Sequence, residues 1–229
     1  DNLRLGKELE DTVDWLNGSC LKESFEIDSS VTLTGTNQAA EIYNQRKFDS
    51  LKGQEVIYPG KFNGKFELTD KNLPAPQQLR LKIGAQVMVT RNQPDAANGT
   101  ICRVVGLDPK KVELERVDDG NVLTLRKAKW EQVEYSLSPH RYEIEAVVSG
   151  VYTQFPIILG WAVTIHKSQG LTIDSILLDL GNRAFASGQA YVGLSRCPSV
   201  TNVSLARPLQ PQDIIVDPAA IQFMSELFE

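Results

Sequence analysis

Between about residue 81 and residue 150 the sequence alternates with a period of two, and on either side of that block it does not. The segments AQVMVT (85–90), ICRVVGL (101–107), KKVELERV (110–117), NVLTLRKAKW (121–130) and YEIEAVVSG (142–150) each read as a strand. Asn98-Gly99 and Asp119-Gly120 are hairpin turn signals between them. Five short strands so close together predict a small β-barrel. Before the block, VTLTG (31–35) reads as a buried strand. Thr36 and Asn37, residues of N-cap type, then open the helix QAAEIYNQRKFDSL. After the block, FPIILGWAVTIHKSQ (155–169) reads as a helix, SILLDL (175–180) as a buried strand, SGQAYVGLSR (187–196) as a helix and VSLA (203–206) as a strand. Residues 6–17 carry Leu9, Val13 and Leu16 at helical spacing and end at Gly18. Asp217-Pro218 opens a last helix through Phe228. The stretch 52–80, rich in Gly, Pro and Asn, reads as a long excursion with one hairpin. The expected architecture is an α/β domain (1–82 and 151–229) interrupted by a barrel (83–150).

The chain has 229 residues, 41% hydrophobic and 23% charged, enough to bury a sizeable core. No apolar run is long enough to span a membrane, so none is expected as a partner. No secretory signal pattern opens the chain. The chain begins at Asp1 rather than Met, and a piece of something longer is expected. Cys20, Cys102 and Cys197 are odd in number and far apart, with no metal-ligand spacing. Free thiols in a reducing, intracellular compartment are expected, with no metal site. The net charge of −5 argues against a nucleic-acid partner until its distribution is read. Residues 1–28 hold eight acids against three bases, and from residue 29 onward 21 bases balance 21 acids. The body is neutral, so charge neither supports nor excludes DNA.

WAVTIHKSQGLT (161–172) poses the sharpest local question. His166 and Lys167 suit the last turn of a helix, where cations favour the macrodipole. Gly170 suits the left-handed residue beyond it, leaving Ser168 and Gln169 as solvent-facing filler. The alternative is a buried helix delivering its polar end to a ligand. Thr164, His166, Lys167, Ser168 and Gln169 are donors without a carboxylate, a set that fits a phosphate.

Arg196, in GQAYVGLSR (188–196), is the only charge between Ala184 and Ala206, and no acid lies between Asp179 and Asp213. A guanidinium cannot shed its proton, so a buried one needs a distant acid or an anionic ligand. No GxxxxGK[ST] loop occurs and no pair of adjacent acids sits at the end of a buried strand, so a nucleotide met by Arg196 would need a second piece of protein. The basic run Arg126, Lys127 and Lys129 beside Trp130 could hold nucleic acid, or Trp130 could be barrel core. A non-catalytic single-strand-binding module is therefore the alternative function. His140 reads as an exposed loop residue without a role.

TIHKSQGLT (164–172) resembles the fifth motif of RecD/PIF-type superfamily-one DNA helicases, and GQAYVGLSR (188–196) resembles their sixth. LTGTNQAAEIYN (33–44) is similar to their fourth, and LKIGAQVMVTRN (81–92) with NGT (98–100) to the entry of an inserted barrel. The resemblance runs from about residue 30 to about 215 and is strongest to bacterial PIF-type enzymes. It implies a RecA-like second motor domain with an SH3-like barrel insertion. It implies ATP-driven 5′→3′ movement on single-stranded DNA, with ATP and Mg²⁺ held mainly by a first domain elsewhere. Arg196 matches the arginine finger; Gly170 and Gln189 match positions near the nucleotide. Thr36, Asn37, Thr164, His166 and Lys167 match DNA contacts, and a helix start is a natural anion site. A monomer in the cytoplasm or, in a bacterium, the nucleoid is expected. Gly160 and Gly193 depart from the family's usual alanine, and either would loosen a helix by about 1 kcal/mol.

Overall fold

The computed structural model describes residues 2–21, 30–66, 73–137, 144–219 and 221–222. Along the chain run α1 (Asn2–Leu5), α2 (Leu9–Cys20), β1 (Val31–Thr34), α3 (Asn37–Ser50), β2 (Val56–Pro59), β3 (Lys61–Gly64) and β4 (Gln78–Leu81). Then come β5 (Gln86–Val89), β6 (Ile101–Leu107), β7 (Lys111–Arg116), β8 (Val122–Arg126), β9 (Ala128–Leu137) and β10 (Ile144–Gln154). The chain continues with β11 (Ile157–Leu159), β12 (Ala162–Thr164), β13 (Ile176–Asp179), α4 (Gln189–Leu194) and β14 (Val203–Leu205). These elements divide into two units, Asp1–Lys47 with Gly160–Glu229, and Phe48–Leu159.

The first unit is built on a wholly parallel sheet of order β12-β1-β13-β14. Its strands do not alternate. All four residues of β1 are buried, as are Ile176, Leu177 and Leu178 of β13 and all of β14. That pattern belongs to strands covered on both faces. Thr36 caps α3 as expected: its hydroxyl accepts the Ala39 N–H (3.2 Å) and its carbonyl the Ala40 N–H (3.2 Å). Further along α3, the Asn44 side chain accepts from Ala162 N–H (2.8 Å) and donates to Ala162 O (2.7 Å), pairing with the sheet's edge strand. Helix α2 buries Val13, Leu16 and Cys20. It runs through Gly18, which therefore does not end it. Asn17 holds the last turn of α2, bonding both N–H (2.7 Å) and C=O (3.0 Å) of Leu209.

The expected helix over 155–169 is not formed. The segment makes two short strands and a series of turns: β11 pairs antiparallel with β5 and β12 parallel with β1. A short apolar run fits a buried strand and a buried helix equally well, and the partner strands decide. The first turn of the last helix is present, with Asp217 accepting the Ala219 N–H (2.9 Å), and its end lies outside the described residues. His140 lies outside them too.

The second unit is antiparallel. One sheet has the order β11-β5-β6-β7-β8, another β3-β10-β9, and β2 pairs with β4. In β8 exposed and buried residues alternate strictly, and in β7 Val112 and Leu114 point inward. Asp119-Gly120 turns β7 into β8 with Gly120 at φ +71, the left-handed region glycine favours. The segment 121–130, expected as one strand, breaks at Lys127 into β8 and β9, which enter different sheets. Among the described residues of 52–80 no hairpin joins neighbouring strands, because β2 and β3 pair with β4 and β10. Among the described residues no ladder joins β8 to β11. None of the three cysteines is joined in a disulfide. Burial pushes the Cys102 thiol up to about 12. Among the described residues no helix is long and apolar enough to cross a membrane.

Candidate functional site

In a parallel sheet the loops leaving the carboxyl ends of the strands share one edge, where such folds bind ligands. Here β1 leads into Gly35, Thr36 and the start of α3, while β12 leads into Ile165, His166 and Lys167. The Ile165 N–H donates to Thr34 O (2.9 Å), so these two loops leave side by side. The Thr34 hydroxyl donates to Thr36 O (3.0 Å) and fixes the turn into the helix. Thr36 and Asn37 are exposed at the first turn of a 14-residue helix, beside His166 and Lys167, which are exposed as well. The structure thus brings four of the expected DNA-contacting residues to one edge.

Thr164 takes a different part. It is buried, and its hydroxyl accepts the Lys167 N–H (3.2 Å). It shapes the turn that presents Lys167. Ser168 is fully buried, its hydroxyl donating to Ile165 O (2.7 Å), so it is neither solvent-facing filler nor part of a polar edge. The turns close through Ser168 N–H to Thr164 O (3.1 Å) and Leu171 N–H to Ser168 O (3.0 Å). Gly170 has φ +79 and open space where a Cβ would stand, so backbone conformation rather than room favours glycine there. The left-handed glycine is as expected, but it follows a chain of turns instead of a helix.

Those turns lead to Arg196. Its Nε donates to Val192 O (3.0 Å), one terminal nitrogen to Leu171 O (3.2 Å) and the other to the Ser195 hydroxyl (2.9 Å). Its own carbonyl accepts the Ile173 N–H (2.9 Å). The guanidinium is half-buried and positioned entirely by neutral oxygens; among the described residues no carboxylate pairs with it. Gln189 starts α4, the six-residue helix that ends at Leu194, two residues before Arg196. Gln189 is buried, and its Oε1 accepts the Phe185 N–H (3.0 Å). Its Nε2 lies 2.9 Å from where a Cβ on Gly35 would stand. Gln189 therefore braces the sheet edge, while Arg196 sits in the turn beyond the other end of the helix.

Of the two unexpected glycines, one lies outside any helix and the other is explained by packing. Gly160 lies between β11 and β12, outside any helix. A Cβ on Gly193 would stand 2.7 Å from Leu178 Cδ1 and 3.5 Å from Ile165, so glycine lets α4 lie close on β13. In the second unit, Arg126 and Lys129 are exposed. Lys127 is half-buried, its ammonium 5.4 Å from the centre of the Phe155 ring. Burial, and then Lys61 nearby, push its pKa down. The Trp130 ring stacks on Tyr152 at 5.8 Å, which uses one face of it for packing.

No protein-family model matches the chain. The ATP-dependent DNA helicase Pif1 of Bdellovibrio bacteriovorus is 32% identical over 98% of this chain and 49% of its own length. Unliganded Pif1 from Bacteroides superposes over 100% of this chain and 53% of its own, with TM-score 0.88 and 28% identity. The chain belongs to the Pif1-type helicases. A Bacteroides Pif1 structure in complex with ADP-AlF3 and single-stranded DNA matches 99% of this chain and 52% of its own, with TM-score 0.75 and 28% identity. The chain spans about half the length of each of these three matches.

Beside the residues that match Pif1-type motifs, two features went unread in the sequence. Asp213, 1% exposed, binds Arg207 through both oxygens (2.7 and 2.8 Å) and accepts the Ala184 N–H (3.0 Å). Burial raises its pKa, but Arg207 and the Gln210 and Ala184 amides outweigh that and hold the carboxyl at about 2. Phe185, next to that anchor, is an exposed aromatic at the sheet edge. The first could have been sought as a six-residue Arg–Asp spacing across a turn; the second carries no sequence signal beyond one aromatic in a loop.

Proposed function

We propose that this chain is the second motor half of an ATP-dependent 5′→3′ DNA helicase. One observation carries the proposal: a half-buried arginine, in the turn just past α4 and within the stretch that matches the sixth helicase motif, held ready by neutral oxygens and lacking a carboxylate partner among the described residues. Such a group suits a developing negative charge presented from outside the unit. Bound ATP would supply the transferable γ-phosphoryl group, and Arg196 would stabilise its charge as an arginine finger. ATP and Mg²⁺ are assigned mainly to the other half, since no phosphate loop occurs in these residues. That Bacteroides Pif1 has been solved with ADP-AlF3 and single-stranded DNA supports both ligand assignments.

In this reading Thr36 and Asn37 at the helix start, with His166 and Lys167, contact the backbone of the single strand. Thr164 acts through Lys167 by shaping its turn. Gly170 gives the connecting turns their direction, and Gln189 stands between the DNA edge and the nucleotide side. The link from Lys167 to Arg196 is a braced run of turns, so a shift at either end reaches the other through Leu171. The discontinuous unit is the RecA-like motor domain, the antiparallel insertion is its SH3-like domain, and the protein acts as an intracellular monomer. A stand-alone binding module centred on Trp130 is less favoured, because Tyr152 occupies a face of that ring.

The test is Arg196→Ala in the full helicase, scored by DNA-stimulated ATP turnover and by nucleotide binding. Turnover should fall by about 10³-fold or more with binding retained. The 229-residue chain alone should show no DNA-stimulated turnover. Near-normal turnover in Arg196→Ala would remove the finger assignment.

A further inference from the structure

We infer that Phe185 is a base-stacking residue of the single-strand track. The inference rests on the reading above that the carboxyl edge of the parallel sheet carries DNA, and it adds a contact with the base that none of the matched motifs contains.

Phe185 is 64% exposed, and a lone exposed aromatic is ordinary on a protein surface. What sets this one apart is how firmly its backbone is held. On one side, Ala184 is fully buried and donates its N–H to Asp213, itself buried against Arg207. On the other, the Phe185 N–H is held by the buried Gln189. The chain is pinned on both flanks while the ring is left in water. A flat apolar face displayed from a rigid backbone suffers little loss of freedom when something stacks on it.

Its neighbours are the second argument. The ring lies 3.1 Å from the place a Cβ on Gly35 would occupy, and the Gln189 amide 2.9 Å from it. Any side chain at 35 would push Phe185 or Gln189 aside. Gly35 leads directly into Thr36 and Asn37. The spatial strand order β12-β1-β13 then gives a row along the edge. His166 and Lys167 follow β12, Thr36 and Asn37 follow β1, and Phe185 follows β13. With neighbouring strands about 4.8 Å apart, the row covers roughly 10 Å. Exposed Arg183, two residues before Phe185, adds a cation beyond the row. Donors for phosphates on one side and an aromatic face on the other are the two parts of a sequence-tolerant single-strand site. Every base has a π-face, so the ligand class is single-stranded nucleic acid with no base preference at this position.

The experiment is equilibrium binding of fluorescein-labelled oligothymidylate to the 229-residue chain by anisotropy, repeated with a strand of abasic residues. Phe185→Ala should weaken oligothymidylate binding by about 5- to 30-fold, and Phe185→Tyr should restore it. On the abasic strand Phe185→Ala should match the unsubstituted chain. Lys167→Ala should weaken both strands, by less at high salt. If Phe185→Ala binds oligothymidylate normally while Lys167→Ala does not, the stacking role is wrong and the DNA edge stands. Equal weakening on both strands would make the ring a structural element and also overturn the inference. If the chain binds neither strand, or no substitution matters, the DNA edge and the stacking role fall together.

Discussion

The parallel sheet of the first unit and the antiparallel sheets of the second handle the same kinds of residue in opposite ways. In β1 and β14 every position is buried, polar ones included; Thr32, Thr34 and Ser204 are all 0–1% exposed. In β8 the chain shows one residue to solvent and the next to the core. Layers on both sides of a sheet demand continuous apolar runs, whereas one wet face permits alternation. So a position in β1 or β14 has no harmless direction, and in β8 half of them do; β5, whose four residues are all buried, sides with the first unit.

The largest expected effect tests that difference directly. Ile176→Ala, at a fully buried position of β13, should cost about 2–5 kcal/mol in urea unfolding. Val122→Ala, 63% exposed at the start of β8, should stay within about 0.5 kcal/mol. Similar costs at the two positions would break the contrast.

Next come the ion pairs. Asp213, buried beside Arg207, and Asp118, on the surface beside Arg116 at 2.5 Å, are both carboxylate–arginine pairs. Asp213→Asn should cost about 2–3 kcal/mol, since it leaves Arg207 without its charge partner and weakens the anchor of Ala184. Asp118→Asn should cost less than about 1 kcal/mol. Asp213 also gives the first unit an acid sensitivity of known sign. Its folded pKa of about 2 lies below the ordinary carboxylate value of 3.8, so its stabilisation is complete above that value. Acidification toward pH 2 removes it. Stability measured from pH 5 down to pH 2 should fall less in Asp213→Asn than in the unsubstituted chain, and parallel curves would show that the pair contributes nothing.

The smallest effect runs the other way. The Thr32 hydroxyl is buried with no hydrogen-bond partner among the described residues. Thr32→Val keeps the shape and removes the stranded polar group, so it should stabilise the chain by about 1 kcal/mol. A loss of stability of that size would mean the hydroxyl is satisfied after all.

The same contrast explains what could be read without coordinates. In the second unit β6 to β8 follow the period-two segments, because alternation is a local signal with one solution, while β5 lies within AQVMVT but is buried at every position. In the first unit the segment around Trp161 was read as a helix, since an apolar run carries no period to separate the two. The break at Lys127 was missed for a related reason: each half of 121–130 alternates correctly, and only their different partners divide them. At the candidate site, Thr36 was legible because a cap is made within three residues. Ser168 was not, because nothing local says which side of a turn faces the core. Gly193 stands out in the sequence against the alanine of the family it resembles, and only the nearness of Leu178 explains it.

What the sequence by itself determined is therefore short-range or compositional: the alternating block in the middle of the chain, the capped start of α3, and an arginine with no acid within reach along the chain. Tertiary structure decided what became of residues 155–170, which strands met, and which polar groups of HKSQG stayed in water. It also decided that Gln189 would hold Phe185 beside Gly35. The reason is the range of the forces. Caps and pleats are set by neighbours a few residues away. Strand pairing and burial are set by partners more than a hundred residues distant, as when Asn44 bonds Ala162.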